Sequence, residues 1–346
     1  MMRTAIPPVT KGLLVLSLTL SIAVAAIRYA AYFRLTEEQP DRRIQMDRIY
    51  VGYLTVVPAV SVVFPWTFVV ATLVEQNVLS LMVSLGTVFY AGKYCERVWG
   101  PAELARFVLI VAALPNLAVF MVYVIAYFVT GNEAYDFVQI CGGVAVQAAF
   151  LVAFKQMVPE HTVILFRGIV KMRVKHLPAI FLVVYTVFGV LGARVSCLLT
   201  WAGFLTSWVY LRFFRVSSSL DILPSPATAT PGTPAVTIRG DASDVFSFAH
   251  FFPDPLVPLV SPLCARAYDL LVKLHVCVPF SAEDIEGANA RTGQFRQRIV
   301  GPLPGSVRAE AERRRAVALK ALDQRMQSRP AAAPATGSTN YTPETN

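Results

Sequence analysis

Six stretches of this chain are apolar for long enough to cross a bilayer, which removes soluble architectures from consideration. Inside lipid a backbone has to satisfy its own hydrogen bonds, so a crossing segment is a helix of about 20 mostly apolar residues or part of a closed barrel. The runs fall at about 12–32, 78–95, 104–129, 137–157, 178–193 and 195–214. Read as helices, they make the chain an all-α polytopic membrane protein with a six-helix core. The fifth run is short, and the turn that joins it to the sixth, at Ala193-Arg194, is very tight.

Charge agrees with the apolar runs. Only 15% of the 346 residues are charged and 55% are hydrophobic, whereas a soluble domain carries about 25% charged residues. The deficit is uneven. The long apolar runs sit in 1–215, while the remainder is rich in Pro, Ser, Ala and Arg. The boundaries that follow are a membrane domain over 1–215, a flexible linker over 216–240, an aromatic-rich segment over 241–280, and a charged, mostly disordered tail over 281–346.

One apolar stretch, Tyr50 to Val74, is left over. It contains Pro58 and the Phe64-Pro65-Trp66 turn, and Glu75, Gln76 and Asn77 follow it. Proline inside a helix removes a hydrogen bond and clashes with the preceding turn, so this stretch reads as a broken, partly interfacial loop. The alternative, a kinked seventh span, moves the C-terminus across the membrane. At the N-terminus, Lys11 precedes an apolar run with no small-residue cleavage site. Arg28, Tyr29, Tyr32 and Phe33 flank that run, as expected of an uncleaved first helix anchored at the interface.

Six spans satisfy the positive-inside rule with both termini cytosolic. Lys155, Arg167, Lys171, Arg173 and Lys175 then lie between the fourth and fifth spans on the cytosolic side, with Lys93, Arg97 and Arg106 at the edges of another cytosolic turn. Thr130 to Asp136, on the other side, has no Lys or Arg. The first luminal loop, with Arg34, Arg42, Arg43 and Arg48, runs against the rule. The same rule accounts for the net charge of +9, and the chain lacks the basic block interleaved with aromatics that nucleic acid requires. The partner that the apolar runs imply is the lipid bilayer, and no nucleic-acid partner is expected. Five cysteines without paired spacing, three of them in apolar runs, read as small buried residues rather than disulfides or metal ligands. No metal or cofactor is expected.

The second span closes with Gly92, Glu96 and Gly100 at intervals of four. This element resembles the Gly-x-x-x-Glu-x-x-x-Gly closure of the second helix in rhomboid intramembrane proteases, and Phe64-Pro65-Trp66 resembles the entry from their first luminal loop. The resemblance implies a rhomboid-like six-helix core, a Ser nucleophile on the fourth helix and a His base on the sixth. Here Gln139-Ile140-Cys141-Gly142 puts Cys141 where Ser would stand. Thr200, ahead of Gly203 and Ser207, replaces the His, and Ser80 and Ser84 replace the second-helix pair that supports an oxyanion. None of His161, His176, His250 and His275 falls in a predicted span. A thiol in apolar surroundings stays protonated, so the Ser/His dyad is expected to be missing and the chain to be a pseudoprotease. Gly92, Glu96, Gly100, Gly142, Gly143, Gly203 and Ser207 read as helix-packing positions. No acidic or basic residue sits in the middle of a confident span, which weighs against an ion pathway.

The tail narrows the resemblance. Ser207-Trp208-Val209-Tyr210-Leu211-Arg212-Phe213, and then Gly240 through Pro253, are similar to the transmembrane protein 115 family of Golgi rhomboid-like pseudoproteases. That likeness implies a Golgi membrane protein acting in Golgi-to-endoplasmic-reticulum retrograde vesicle transport, with an indirect effect on glycosylation. It also implies self-association into homo-oligomers and contact with subunits of a Golgi vesicle-tethering complex. Phe246, Phe248, Phe251, Phe252 and Pro253 are either a docking motif for such partners or an anchor folded back onto the membrane surface. Two other functions fit a rhomboid-like core. One is a client-binding factor in membrane protein quality control; the other is a residual protease using Cys141.

Overall fold

A computed structural model describes residues 6–38, 49–157, 162–165, 170–218 and 237–252, with a few positions beyond. The chain divides into two units, 1–290 and 291–346, and the second lies outside the described residues. So does Pro253, and 254–290 is described only at scattered positions.

Helix α1 (Pro8–Glu38) begins at a proline, whose missing N–H is no loss in a first turn. The leftover apolar stretch does not form a straight span. It contains two single turns, α2 (Pro58–Ser61) and α3 (Thr67–Val70), and a 3₁₀ turn, Ala71–Leu73. Helix α4 (Val78–Thr87) runs through a π turn, Val88–Gly92, into α5 (Lys93–Trp99). Gly100, with φ of 86°, ends that rod in a conformation glycine adopts without steric cost. The next residue starts α6 (Pro101–Thr130), which holds Pro115 in its interior and closes on the left-handed Gly131.

The fourth helix departs from expectation. Helix α7 covers Val144–Met157, not 137–157. The preceding residues are extended because their backbone groups are met from the leftover loop: Val56 and Ile140 exchange N–H···O bonds of 3.1 and 2.8 Å, and the Gly142 N–H donates to the Ala71 carbonyl at 3.0 Å. Gly142 itself has φ of 114°, which no right-handed helix accommodates. An antiparallel hairpin follows, β1 (Thr162–Leu165) with β2 (Val170–Arg173). It leads to α8 (Leu177–Val190) and, after a short turn, α9 (Arg194–Val209), which continues through a π turn to Phe214.

Among the described residues four rods are long and apolar enough to cross a membrane: Pro8–Glu38, Val78–Trp99, Pro101–Thr130 and Arg194–Phe214. Val144–Met157 and Val174–Val190 are shorter apolar helices. The core lies where α5, α6, α7 and α9 meet, around the fully buried Phe107, Phe150, Phe204 and Leu211. A second cluster, with Val56, Ala71, Phe120, Ile140 and Leu199, joins the leftover loop to α6 and α9. Val78, Leu79, Met82, Phe128 and Val190 point away from both clusters and are strongly exposed. Hydrocarbon covers such side chains as readily as protein does.

The segment expected to be a flexible linker begins and ends in paired backbone. β3 (Val216–Ser218) pairs antiparallel with β4 (Thr237–Arg239), and the Gly240 N–H donates to the Arg215 carbonyl at 2.7 Å. The chain therefore returns to the end of α9 that it left; residues 219–236 lie outside the described residues.

Candidate functional site

Cys141 sits on the extended stretch ahead of α7, where its Sγ accepts a hydrogen bond from Gln76 Nε2 at 2.9 Å. Thr200, on α9, is fully buried and donates to the Ser196 carbonyl of its own helix at 2.7 Å. A nucleophile needs a base within hydrogen-bond reach of it, and neither the amide of Gln76 nor this hydroxyl is one. Of the four histidines, His176 precedes α8 and His250 lies against the far end of α7 from Cys141; His161 and His275 fall outside the described residues.

Ser80 and Ser84 stand one turn apart on α4, and both donate to the carboxylate of Glu75. Ser80 Oγ reaches Oε2 at 2.6 Å and Ser84 Oγ reaches Oε1. The Gly143 N–H, at the start of α7, donates to the same Oε1 at 2.8 Å, and Gln147 Nε2 donates to Ser84 Oγ at 2.8 Å. Glu75 is only 7% exposed, and its own N–H is held by Ser21 Oγ of α1 at 3.0 Å. Gly142 and Gly143 belong to this junction rather than to a helix face. A Cβ on Gly143 would lie 2.9 Å from Ser84 Oγ and 3.2 Å from Glu75 Oε1. Next to it, Asn116 on α6 donates to the Phe68 carbonyl and to Thr72 Oγ1 at 2.8 and 2.7 Å. Sequence reasoning reads Glu75 as a loop flank and passes over Asn116. The usable signal is a carboxylate at the border of one apolar run and an amide in the middle of another, since buried polar groups need partners.

The other packing positions separate by role. Glu96 accepts from the Val9 and Thr10 N–H groups at 3.0 and 2.8 Å, and from Thr10 Oγ1 at 2.7 Å. It thereby caps α1 from a neighbouring helix and satisfies donors that a helix start leaves free. Gly92 makes room for this, because a Cβ there would lie 3.2 Å from Thr10 Oγ1. At Gly100 an added methyl would meet nothing within 4 Å, so glycine is required there by its φ alone. Gly203 brings α9 against α7, its Cβ position falling 2.5 Å from the Ala145 carbonyl oxygen. Ser207 is fully buried and donates to the Phe204 carbonyl.

At the opposite end of the bundle the aromatic block is folded against the helices instead of being displayed. Phe246 and Phe251 are buried among Phe204, Leu211 and Tyr210, Phe248 and Phe252 are half-buried, and Pro253 is outside the described residues. Phe251 meets Phe204 edge-on at 5.1 Å, and Phe248 meets Trp208 at 5.3 Å. Polar contacts fix the register. Trp208 Nε1 donates to the Phe246 carbonyl at 3.1 Å, and an Arg212 guanidinium N–H donates to the Ser243 carbonyl at 2.6 Å. Lys155 of α7, 2% exposed, donates to the His250 carbonyl at 2.6 Å and lies 3.4 Å from the Phe251 ring centroid. Burying Phe246 and Phe251 contributes about 2 kcal/mol each, so the bundle itself holds these two rings. Asp244, Val245 and His250 face outward. Among the described residues no cluster of His, Cys, Asp or Glu could hold a metal ion, and Cys95, Cys141 and Cys197 are free thiols.

From residue 11 to residue 328 the chain matches a family described as Eukaryotic integral membrane protein (DUF1751). It is 29% identical over 285 residues to Rhomboid-like protein 19 of Arabidopsis thaliana, covering 82% of this chain and 83% of that one. It is 27% identical over 331 residues to the Transmembrane protein 115 homolog of Saccharomyces cerevisiae, covering 93% of each. Against Transmembrane protein 115 of Homo sapiens the identity is 33% over 283 residues, 80% of this chain and 72% of the human protein. Taken with a multi-pass helical core that ends in a long tail, these matches place the chain in the transmembrane protein 115 family of eukaryotic integral membrane proteins.

Proposed function

We propose that this protein is a non-catalytic Golgi membrane factor in Golgi-to-endoplasmic-reticulum retrograde vesicle transport, with an indirect effect on glycosylation. The observation that carries the non-catalytic reading is the state of the four altered positions. Cys141 faces an amide, Thr200 is bonded within its own helix, and Ser80 and Ser84 are committed to Glu75. The resemblance of the tail to the family supports the trafficking role, both termini being cytosolic. Self-association and contact with tethering-complex subunits belong to the same reading. Because Phe246 and Phe251 are held by the bundle, partner contact falls to the outward face at Asp244 and Val245 and to the chain that follows.

The test is rescue of retrograde cargo return in cells lacking the protein, comparing the full chain, Cys141→Ala, and a chain ending after Phe252 that keeps the folded-back block. Rescue by Cys141→Ala with failure of the shortened chain is the expected result. Failure of Cys141→Ala at normal level and location would return the reading to a residual protease. Steady-state residence in the endoplasmic reticulum would favour a client-binding factor instead.

A further inference from the structure

We infer that Ser80 Oγ, Ser84 Oγ and the Gly143 N–H form a carboxylate-binding cradle that Glu75 occupies in cis. Three donors from two separate elements, the first turns of α4 and the start of α7, converge on the two oxygens of one carboxylate. Gln147 donates to Ser84 Oγ, which leaves the serine proton to point at Glu75. The backbone is shaped for this approach. Gly142 has a positive φ, and a side chain at Gly143 would run into both Ser84 and Glu75.

Nothing in this geometry requires the carboxylate to belong to residue 75. A buried donor left without an acceptor costs about 1–3 kcal/mol, so an emptied cradle favours any small carboxylate that reaches it. Access exists, because Gln76 and Asn77 beside Glu75 are exposed and Ser80 is half-exposed. A cavity of about 20 Å³, lined in part by Ser17, Thr72, Ser84, Gly143 and Gln147, borders the site. Glu75 thus closes a site of its own chemical class and ties the leftover loop to α4 and α7. A partner's acidic side chain or C-terminal carboxylate would have to displace it to bind there.

The test uses the full chain in detergent, with formate as the probe and chloride at equal ionic strength as the control. Glu75→Ala is expected to melt several degrees below wild type and to recover at least half of that loss in millimolar formate. Wild type and Glu75→Gln, whose cradles are filled, are expected to ignore it. A folded Glu75→Ala that formate does not stabilise beyond chloride would overturn the inference. If Glu75→Ala does not survive extraction, the decision falls to Glu75→Gln and Ser84→Ala, alone and combined. A double variant no less stable than the worse single supports the cradle, since partners in one network are not additive; losses that simply add overturn it. Neither outcome depends on the trafficking role.

Discussion

At the scale of single residues, a hydrogen atom at position 203 decides how closely α9 and α7 pack. The methyl of an alanine there would sit 2.5 Å from the Ala145 carbonyl oxygen and 2.6 Å from its Cα. Those are backbone atoms, so the clash is relieved by moving a helix and not by turning a side chain. Overpacking of this kind costs about 1–3 kcal/mol. Gly203→Ala is therefore expected to lower the thermal midpoint in detergent, while Gly86→Ala, with nothing within 4 Å of its added methyl, serves as the neutral control. A Gly203→Ala midpoint equal to that of the control would mean the two helices are not this close. Glu96 and Gly92 show why such positions are readable: a glycine and a carboxylate four apart at the end of an apolar run have few uses other than close approach and capping. Glu75 is not readable in this way. Its partners come from residues 21, 80, 84 and 143, and no periodicity links them.

At the scale of elements, the helices are legible because lipid demands long apolar rods, whereas the non-helical parts depend on what they meet. The apolar run places the start of α7 too early because Phe137 to Gly143 is itself largely apolar; the pairing of Ile140 with Val56 and the bond from Gly142 to Ala71 hold it out of the helix. The aromatic block is visible as four phenylalanines, but its destination is not, since an exposed docking peptide and a folded-back anchor share one composition. What distinguishes them is Lys155, which the sequence offers only as a positive charge at a membrane edge. In the structure its ammonium is buried and held by the His250 carbonyl and the Phe251 ring. Removing such a contact loses a charge-assisted hydrogen bond, worth about 1.5–3 kcal/mol, and a cation–π contact. Lys155→Met keeps much of the stem's packing, so the loss falls on the block rather than on α7. Limited chymotrypsin digestion should then cut between Phe246 and Phe252 several-fold faster than in wild type, with the fragment ending near Arg215 otherwise intact. Unchanged cleavage would show that the aromatic contacts alone hold the block in place.

For the whole molecule, the number of crossings turns on α7 and α8, because fourteen helical residues reach about 21 Å and the hydrocarbon core is about 30 Å thick. For α7 the missing length is supplied by the extended stretch before it. Non-helical backbone is tolerated at membrane depth only where protein surrounds it, and that condition is met: Ile140 is fully buried and bonded to Val56, and the Gly142 and Gly143 N–H groups are satisfied by Ala71 and Glu75. Among the described residues the leftover loop forms no helix long and apolar enough to add a crossing. Its first part is tied to 136–140 by the Ala59 and Val56 hydrogen bonds, and its last part to Ser17 and Ser21 midway along α1. The following rod then runs antiparallel to α1, since Glu96 ends beside Thr10. With α8 counted as a crossing as well, the proposed topology has six, an even number, and its termini share one side of the membrane. In that proposed topology the absence of Lys and Arg from 131–136, set against Lys93, Arg97 and Arg106 at the opposite end, favours the cytosol as the shared side. An N-glycan acceptor sequence inserted within 131–135 should therefore be glycosylated in the secretory pathway, and acceptors at the N-terminus or after residue 252 should not. Glycosylation at one terminus alone would mean an odd count, with the leftover loop crossing after all. Modification of both termini and not of the loop would keep six crossings and reverse their direction.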